Sequence, residues 1–198
     1  MQLILCALLL AFALSFVLSL AILPLLRRMG GQHILVYVRE HEQKEGTPTM
    51  GGLAFVCAAA LAALPFARGA DKRFWVTLAV GLGYLIVGFL DDFLKKRRGS
   101  NLGLRAYQKM LFQLGVALIA SIYCCLEGLT VLRIPYTRLA FDIGWWMLPL
   151  GVFVFVATVN GVNLTDGLDG LAGGTSAVFF LVLALLLGAQ GGSDAIAL

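Results

Sequence analysis

The sequence predicts an all-α fold: a polytopic bundle of about six transmembrane helices, forming a single integral-membrane domain over residues 1–198. Three observations lead there. Hydrophobic residues make up 60% of the chain and charged ones only 13%, with a mean hydropathy of +0.91, whereas a soluble domain is about 45–50% apolar. Uncharged stretches recur at lengths close to the ~20 residues that a helix needs to cross the hydrocarbon core. Cations gather in alternate connecting segments. Ten of the fifteen Lys and Arg residues lie within 27–45 and 91–109, so the positive-inside rule puts those segments in the cytoplasm and the N-terminus outside.

The first helix is expected over about 2–26, ending near Pro24 and the Arg27–Arg28 pair. No basic residue precedes its long apolar stretch, so it reads as a retained helix and not as a secretory leader. The segment "KEGTPTMGG" (44–52) is rich in turn-forming residues and delivers the chain into a second helix at about 51–67. A third helix is expected at about 74–92 and a fourth at about 107–126, on either side of a basic loop. Between the fourth and fifth, "LTVLRIPYTRLAFDIG" (129–144) mixes β-branched and polar residues around Pro135. That predicts a small hairpin on the membrane surface, with an irregular amphipathic loop as the alternative. A fifth helix at about 145–160 runs into "NGVNLTDGLDGLAGG" (160–174), and a sixth occupies about 175–189. Cys6, Cys57, Cys124 and Cys125 lie in or at the end of apolar spans and read as small buried hydrophobes, not as disulfides or metal ligands.

Three polar clusters interrupt this apolar pattern. In "GFLDDFLKKRR" (88–98), two adjacent carboxylates repel each other at the edge of an apolar run. Either they mark the water interface, with Lys95 and Lys96 as i,i+3 and i,i+4 partners, or they hold a hard divalent cation or handle phosphate. In the second cluster Asn160, Asn163, Asp166 and Asp169 recur every three residues, whereas one helical face needs about 3.6. Gly161, Gly167 and Gly170 suggest a helix end or broken turn, where amides and carboxylates converge on a polar ligand. The third, "GTPTMGG" (46–52), sets hydroxyls and small residues at a helix start, a setting suited to an anion; Thr47 as a simple cap is the plain alternative. Lys44 and the cations Lys95–Arg98 add a positive field on the same side, although topology signalling accounts for most of them.

In these residues the chain resembles the polyprenyl-phosphate N-acetylhexosamine-1-phosphate transferase superfamily, glycosyltransferase family 4, and within it the phospho-N-acetylmuramoyl-pentapeptide transferases. "GTPTMGG", "GFLDDFLK", "NLGLRAYQK" and "NGVNLTDGLDGLAGG" match that family's motifs in order and spacing, over residues from about 24 to 174. The resemblance implies a multi-pass enzyme of the bacterial inner membrane. It would move phospho-N-acetylmuramoyl-pentapeptide from UDP-N-acetylmuramoyl-pentapeptide to undecaprenyl phosphate with Mg²⁺, giving lipid I and UMP in peptidoglycan synthesis. Among membrane lipids it would work as a homodimer in the complete enzyme, with no nucleic-acid partner. Asp91 and Asp92 match the family's catalytic, metal-binding pair, with Asp91 expected to deprotonate or orient the lipid phosphate. Asn160, Asn163, Asp166 and Asp169 match its nucleotide and metal motif, with Asp166 a third expected metal ligand; Lys44, Thr49 and Lys109 match expected phosphate or nucleotide contacts.

The family has about ten spans, with a further metal aspartate and a histidine-rich loop in its later half, whereas this chain has only His33 and His41, both in its first loop. It therefore reads as an N-terminal part, inactive alone, an expectation that lipid I formation by purified 1–198 would overturn. A sister activity on UDP-GlcNAc is the near rival. A secondary transporter, with carboxylates and glycine-broken helices, is the rival from another class.

Overall fold

A computed structural model describes residues 2–28, 50–67, 69–98, 103–134, 137, 139–167 and 170–189. Helix α1 (Gln2–Arg28) is followed by α2 (Gly52–Ala63), α3 (Lys72–Arg98) and α4 (Ala106–Leu126); strands β1 (Val131–Arg133) and β2 (Ala140–Asp142) then precede α5 (Met147–Thr165) and α6 (Leu171–Ala189). All six expected apolar helices are present. Among the described residues, four are long and apolar enough to cross a membrane, namely α1, α3, α4 and α5 with the turn ahead of it, while α2 and α6 are shorter apolar helices. The protein is a multi-pass membrane protein.

The chain divides into two compact units, Met1–Lys109 and Met110–Leu198. In the first, α1 and α2 pack along each other. Ala54, Ala58 and Ala62 are buried on α2, a stripe of small side chains at i, i+4 and i+8 that lets helix backbones approach closely where the surroundings are as apolar as the helices themselves. The second helix stops earlier than the expected 67, because the backbone at Leu64–Phe66, around Pro65, tightens into a 3₁₀ turn. The third runs six residues past its expected end at 92. Its last turn holds Lys95, Lys96, Arg97 and Arg98, good helix formers whose charge opposes the negative end of the helix dipole. At 27 residues it is about 40 Å long, against a hydrocarbon core of about 30 Å.

In the second unit α4 buries Gln113, Ala117, Ala120 and Ser121, one face at helical spacing. Gly151 on α5 is required there, since a Cβ would come 2.6 Å from Ser121 Oγ. The hairpin predicted over 129–144 is observed as an antiparallel pair with Val131 opposite Asp142 and Leu132 opposite Phe141. Thr130, buried, donates its hydroxyl to Asp142 Oδ1 at 2.6 Å, and the same oxygen accepts the Gly144 N–H at 2.9 Å. The Ile143 N–H closes the base by donating to the Thr130 carbonyl at 3.1 Å. All four cysteines are free; Cys6, expected to be buried, is exposed on α1.

Candidate functional site

Helix α3 carries Asp91 and Asp92 two turns before its end. Neighbouring helical positions diverge by about 100°, so the two carboxylates leave the axis in different directions and meet different segments. Asp91 is buried, and its Oδ1 accepts the Leu104 backbone N–H at 2.8 Å. Asp92 is half-buried, and its Oδ2 accepts the Met50 N–H at 3.2 Å. Lys95 bridges the pair, with Nζ 2.7 Å from Asp91 Oδ2 and 3.5 Å from Asp92 Oδ1. This is the i,i+4 and i,i+3 pairing that the spacing predicts. One cation between two carboxylates offsets the repulsion that the bare doublet would suffer. Lys109, in the first turn of α4, also attracts Asp91.

One helix thereby holds the two segments that lead into α2 and α4. Met50 is buried with φ of 68°, a left-handed conformation uncommon in a residue with a Cβ, and the Asp92 bond fixes its N–H. Gly103 is demanded by close approach: a Cβ there would run into an Asp91 carboxylate oxygen and lie 2.8 Å from the Asp91 carbonyl. Arg98 Nη1 donates to the Gly103 carbonyl at 2.9 Å, so the basic end of α3 grips the same segment from a second point.

The second cluster is arranged differently from its sequence reading. Asn160 and Asn163 lie inside α5, which runs on to Thr165, whose hydroxyl folds back onto the Gly161 carbonyl at 2.9 Å. The helix breaks only at Asp166, where ψ is 44°, and Gly170 takes φ of +80° just before α6. Asn160 is half-buried and donates Nδ2 to Gln113 Oε1 of α4 at 2.9 Å and to the Val156 carbonyl at 2.8 Å. Asn163 and Asp166 are exposed. Gln113, 1% exposed, is the residue that sequence reading passed over; its signal was a lone amide inside an apolar span.

Lys44, Thr49 and Asp169 lie outside the described residues. Among the described residues, no group of three or more His, Cys, Asp or Glu side chains is placed to hold a metal ion. The doublet offers two carboxylates.

The sequence model of glycosyl transferase family 4 matches residues 74–198, and the phospho-N-acetylmuramoyl-pentapeptide-transferase signature 1 matches residues 44–56. The chain is similar to proteins named phospho-N-acetylmuramoyl-pentapeptide-transferase. It is 44% identical over 193 residues to that of Desulforudis audaxviator, covering 89% of this chain and 58% of the relative. With the Oceanobacillus iheyensis protein the identity is 40% over 183 residues, covering 89% and 56%, and with the Bacillus subtilis protein 39% over 191 residues, covering 93% and 59%. The chain therefore spans a little over half the length of these relatives.

Proposed function

We propose, from the premise that the chain belongs to glycosyl transferase family 4, that it serves the transfer of phospho-N-acetylmuramoyl-pentapeptide from its UDP carrier to undecaprenyl phosphate, releasing UMP. The observation that carries this reading is the coupling around α3. Asp92 is hydrogen-bonded to Met50, which lies within the matched signature, and Asp91 to Leu104, just ahead of Lys109. Motif segments far apart in sequence are thus tied to one acidic pair.

Both substrates are anions, so transfer between them calls for alignment and charge neutralisation more than for a protein nucleophile. Mg²⁺ fits the donor set: among the described residues each doublet oxygen takes one protein donor and keeps further lone-pair capacity, and Mg²⁺ is usually held by one or two carboxylates together with substrate phosphates. When bound, it would supply Lewis-acid stabilisation of the diphosphate oxygens. The chain's own groups do the rest. Asp91 and Asp92 set the polarity of the site, Lys109 together with Lys44 and Thr49 would contact phosphate, and Asn160, Asn163, Asp166 and Asp169 would contact the nucleotide. The positive-inside count supports a doublet on the cytoplasmic side with the N-terminus outside, and the proposed reaction would set it in the bacterial inner membrane.

A chimera in which this chain replaces the matched 59% of the Bacillus subtilis relative tests the reading. It should release UMP from UDP-N-acetylmuramoyl-pentapeptide in the presence of undecaprenyl phosphate and Mg²⁺, and not from UDP-GlcNAc. The reverse preference would establish the sister activity instead.

A further inference from the structure

Helix α4 begins among charges that oppose it. No acidic side chain stands in its first turn, where the positive end of the macrodipole favours one; instead Arg105 precedes the helix and Lys109 makes its first backbone bond, donating its N–H to the Arg105 carbonyl at 3.0 Å. An arginine at that position has no side-chain acceptor with which to cap the turn. Gln108 supplies the missing contact from inside the helix, its Oε1 accepting the Arg105 N–H at 3.1 Å. This is the returning half of a capping box, from the third helical position to the residue ahead of the helix. Arg105 is thus held at its N–H by Gln108 and at its carbonyl by Lys109. The segment before it is already tied to α3, with the Gly103 carbonyl on Arg98 at 2.9 Å and the Leu104 N–H on Asp91 at 2.8 Å, and Gln108 carries that anchorage into the helix.

We propose that Gln108 is a positioning residue: it fixes the first turn of α4 so that the Lys109 ammonium stands at one place for an arriving phosphate. This rests on the phosphoryl-transfer reading, in which Lys109 is a phosphate contact. Lys109 is half-buried and near enough to Asp91 to attract it, so a small shift of its turn changes its distance to the acidic pair. A cation at the positive end of a helix costs stability, and an unsecured turn would fray and carry Lys109 away. The choice of an amide has its own logic. Glutamate would cap the same N–H, but it would also set a negative charge next to the group meant to meet an anion, whereas glutamine caps without charge.

The test pairs backbone hydrogen exchange on the purified 1–198 chain in lipid nanodiscs with UMP release by the Bacillus subtilis chimera. Gln108→Ala should speed exchange at Arg105 and Lys109 by about fivefold or more, the share that a cap contributes to a helix start. Gln108→Glu should restore that protection, because its carboxylate accepts the same N–H. In the chimera, Gln108→Ala should lower kcat/KM by about tenfold. The same change should cost less than about twofold once Lys109→Met is present, since a residue that acts through Lys109 then has nothing left to place. Where Lys109→Met turns over too slowly to follow, the cycle is read from the affinity for UDP-N-acetylmuramoyl-pentapeptide. Unchanged exchange in Gln108→Ala overturns the proposal, as does an equal loss with and without Lys109, which would make Gln108 a general stabiliser of the fold. Failure of the proposed reaction shows separately, as a parent chimera that releases no UMP while Gln108→Ala still speeds exchange at Lys109.

Discussion

Single residues in this protein set polar geometry against an apolar background. Gln113 and Asn160 form an amide pair between α4 and α5 with Gln113 almost fully buried, and such interhelical bonds in membrane proteins average about 0.6 kcal/mol and reach about 1.7. Gln113→Leu should therefore lower stability by about 1 kcal/mol and no more, because Asn160 keeps its bond to the Val156 carbonyl. Thermal unfolding in detergent checks this. At the hairpin base, the Thr130 hydroxyl and the Gly144 N–H hold the Asp142 carboxyl below its usual range. A carboxyl with a lowered folded pKa stabilises above its unfolded value of about 4 and loses that contribution as pH falls through the folded one. Acidification below about pH 4 should thus loosen the hairpin, read as a change in Trp145 and Trp146 fluorescence that Asp142→Asn abolishes. Gln113 could have been found from sequence as a lone amide in an apolar run, but the bond from Met50 could not, since nothing local announces a left-handed methionine.

Among the elements, the hairpin shows how a two-residue period becomes a surface. Its register places Leu132 opposite Phe141, and the Ile134 N–H donates to the Leu139 carbonyl at 3.1 Å, so these four apolar residues share one face. All four are exposed, as are Trp145 and Trp146 just beyond β2. Lying between two membrane spans, with aromatic residues of the kind that gather at bilayer interfaces, that face is expected to rest in the lipid headgroup region. Spin labels at 132 and 141 should be more accessible to oxygen than to a water-soluble nickel complex, and labels at 133 and 140 the reverse; equal water accessibility at all four positions would count against it. Helix boundaries were less legible than helix existence. α3 and α5 both outran their expected ends, because the Lys95–Arg98 cluster suits the end of a helix dipole and the α5 backbone stays helical until Asp166, although polarity alone reads both stretches as loop.

For the whole molecule, orientation is the property that charge placement predicts most directly. After replacement of the four native cysteines, a single cysteine at Lys96 should resist a membrane-impermeant reagent added outside cells, and one at Arg133 should react; labelling at 96 from outside would invert the topology. The membrane class, the six apolar helices, the hairpin and the prominence of the acidic doublet were all set by sequence, because hydropathy, charge bias and turn residues act within a few positions of the chain. The tertiary structure decided what each polar group serves. Leu104 meets Asp91 across 13 positions, Met50 meets Asp92 across 42, and Gln113 meets Asn160 across 47. Periodicity along one helix carries no information about which distant amide will arrive at its side, so only packing could make adjacent aspartates unlike each other.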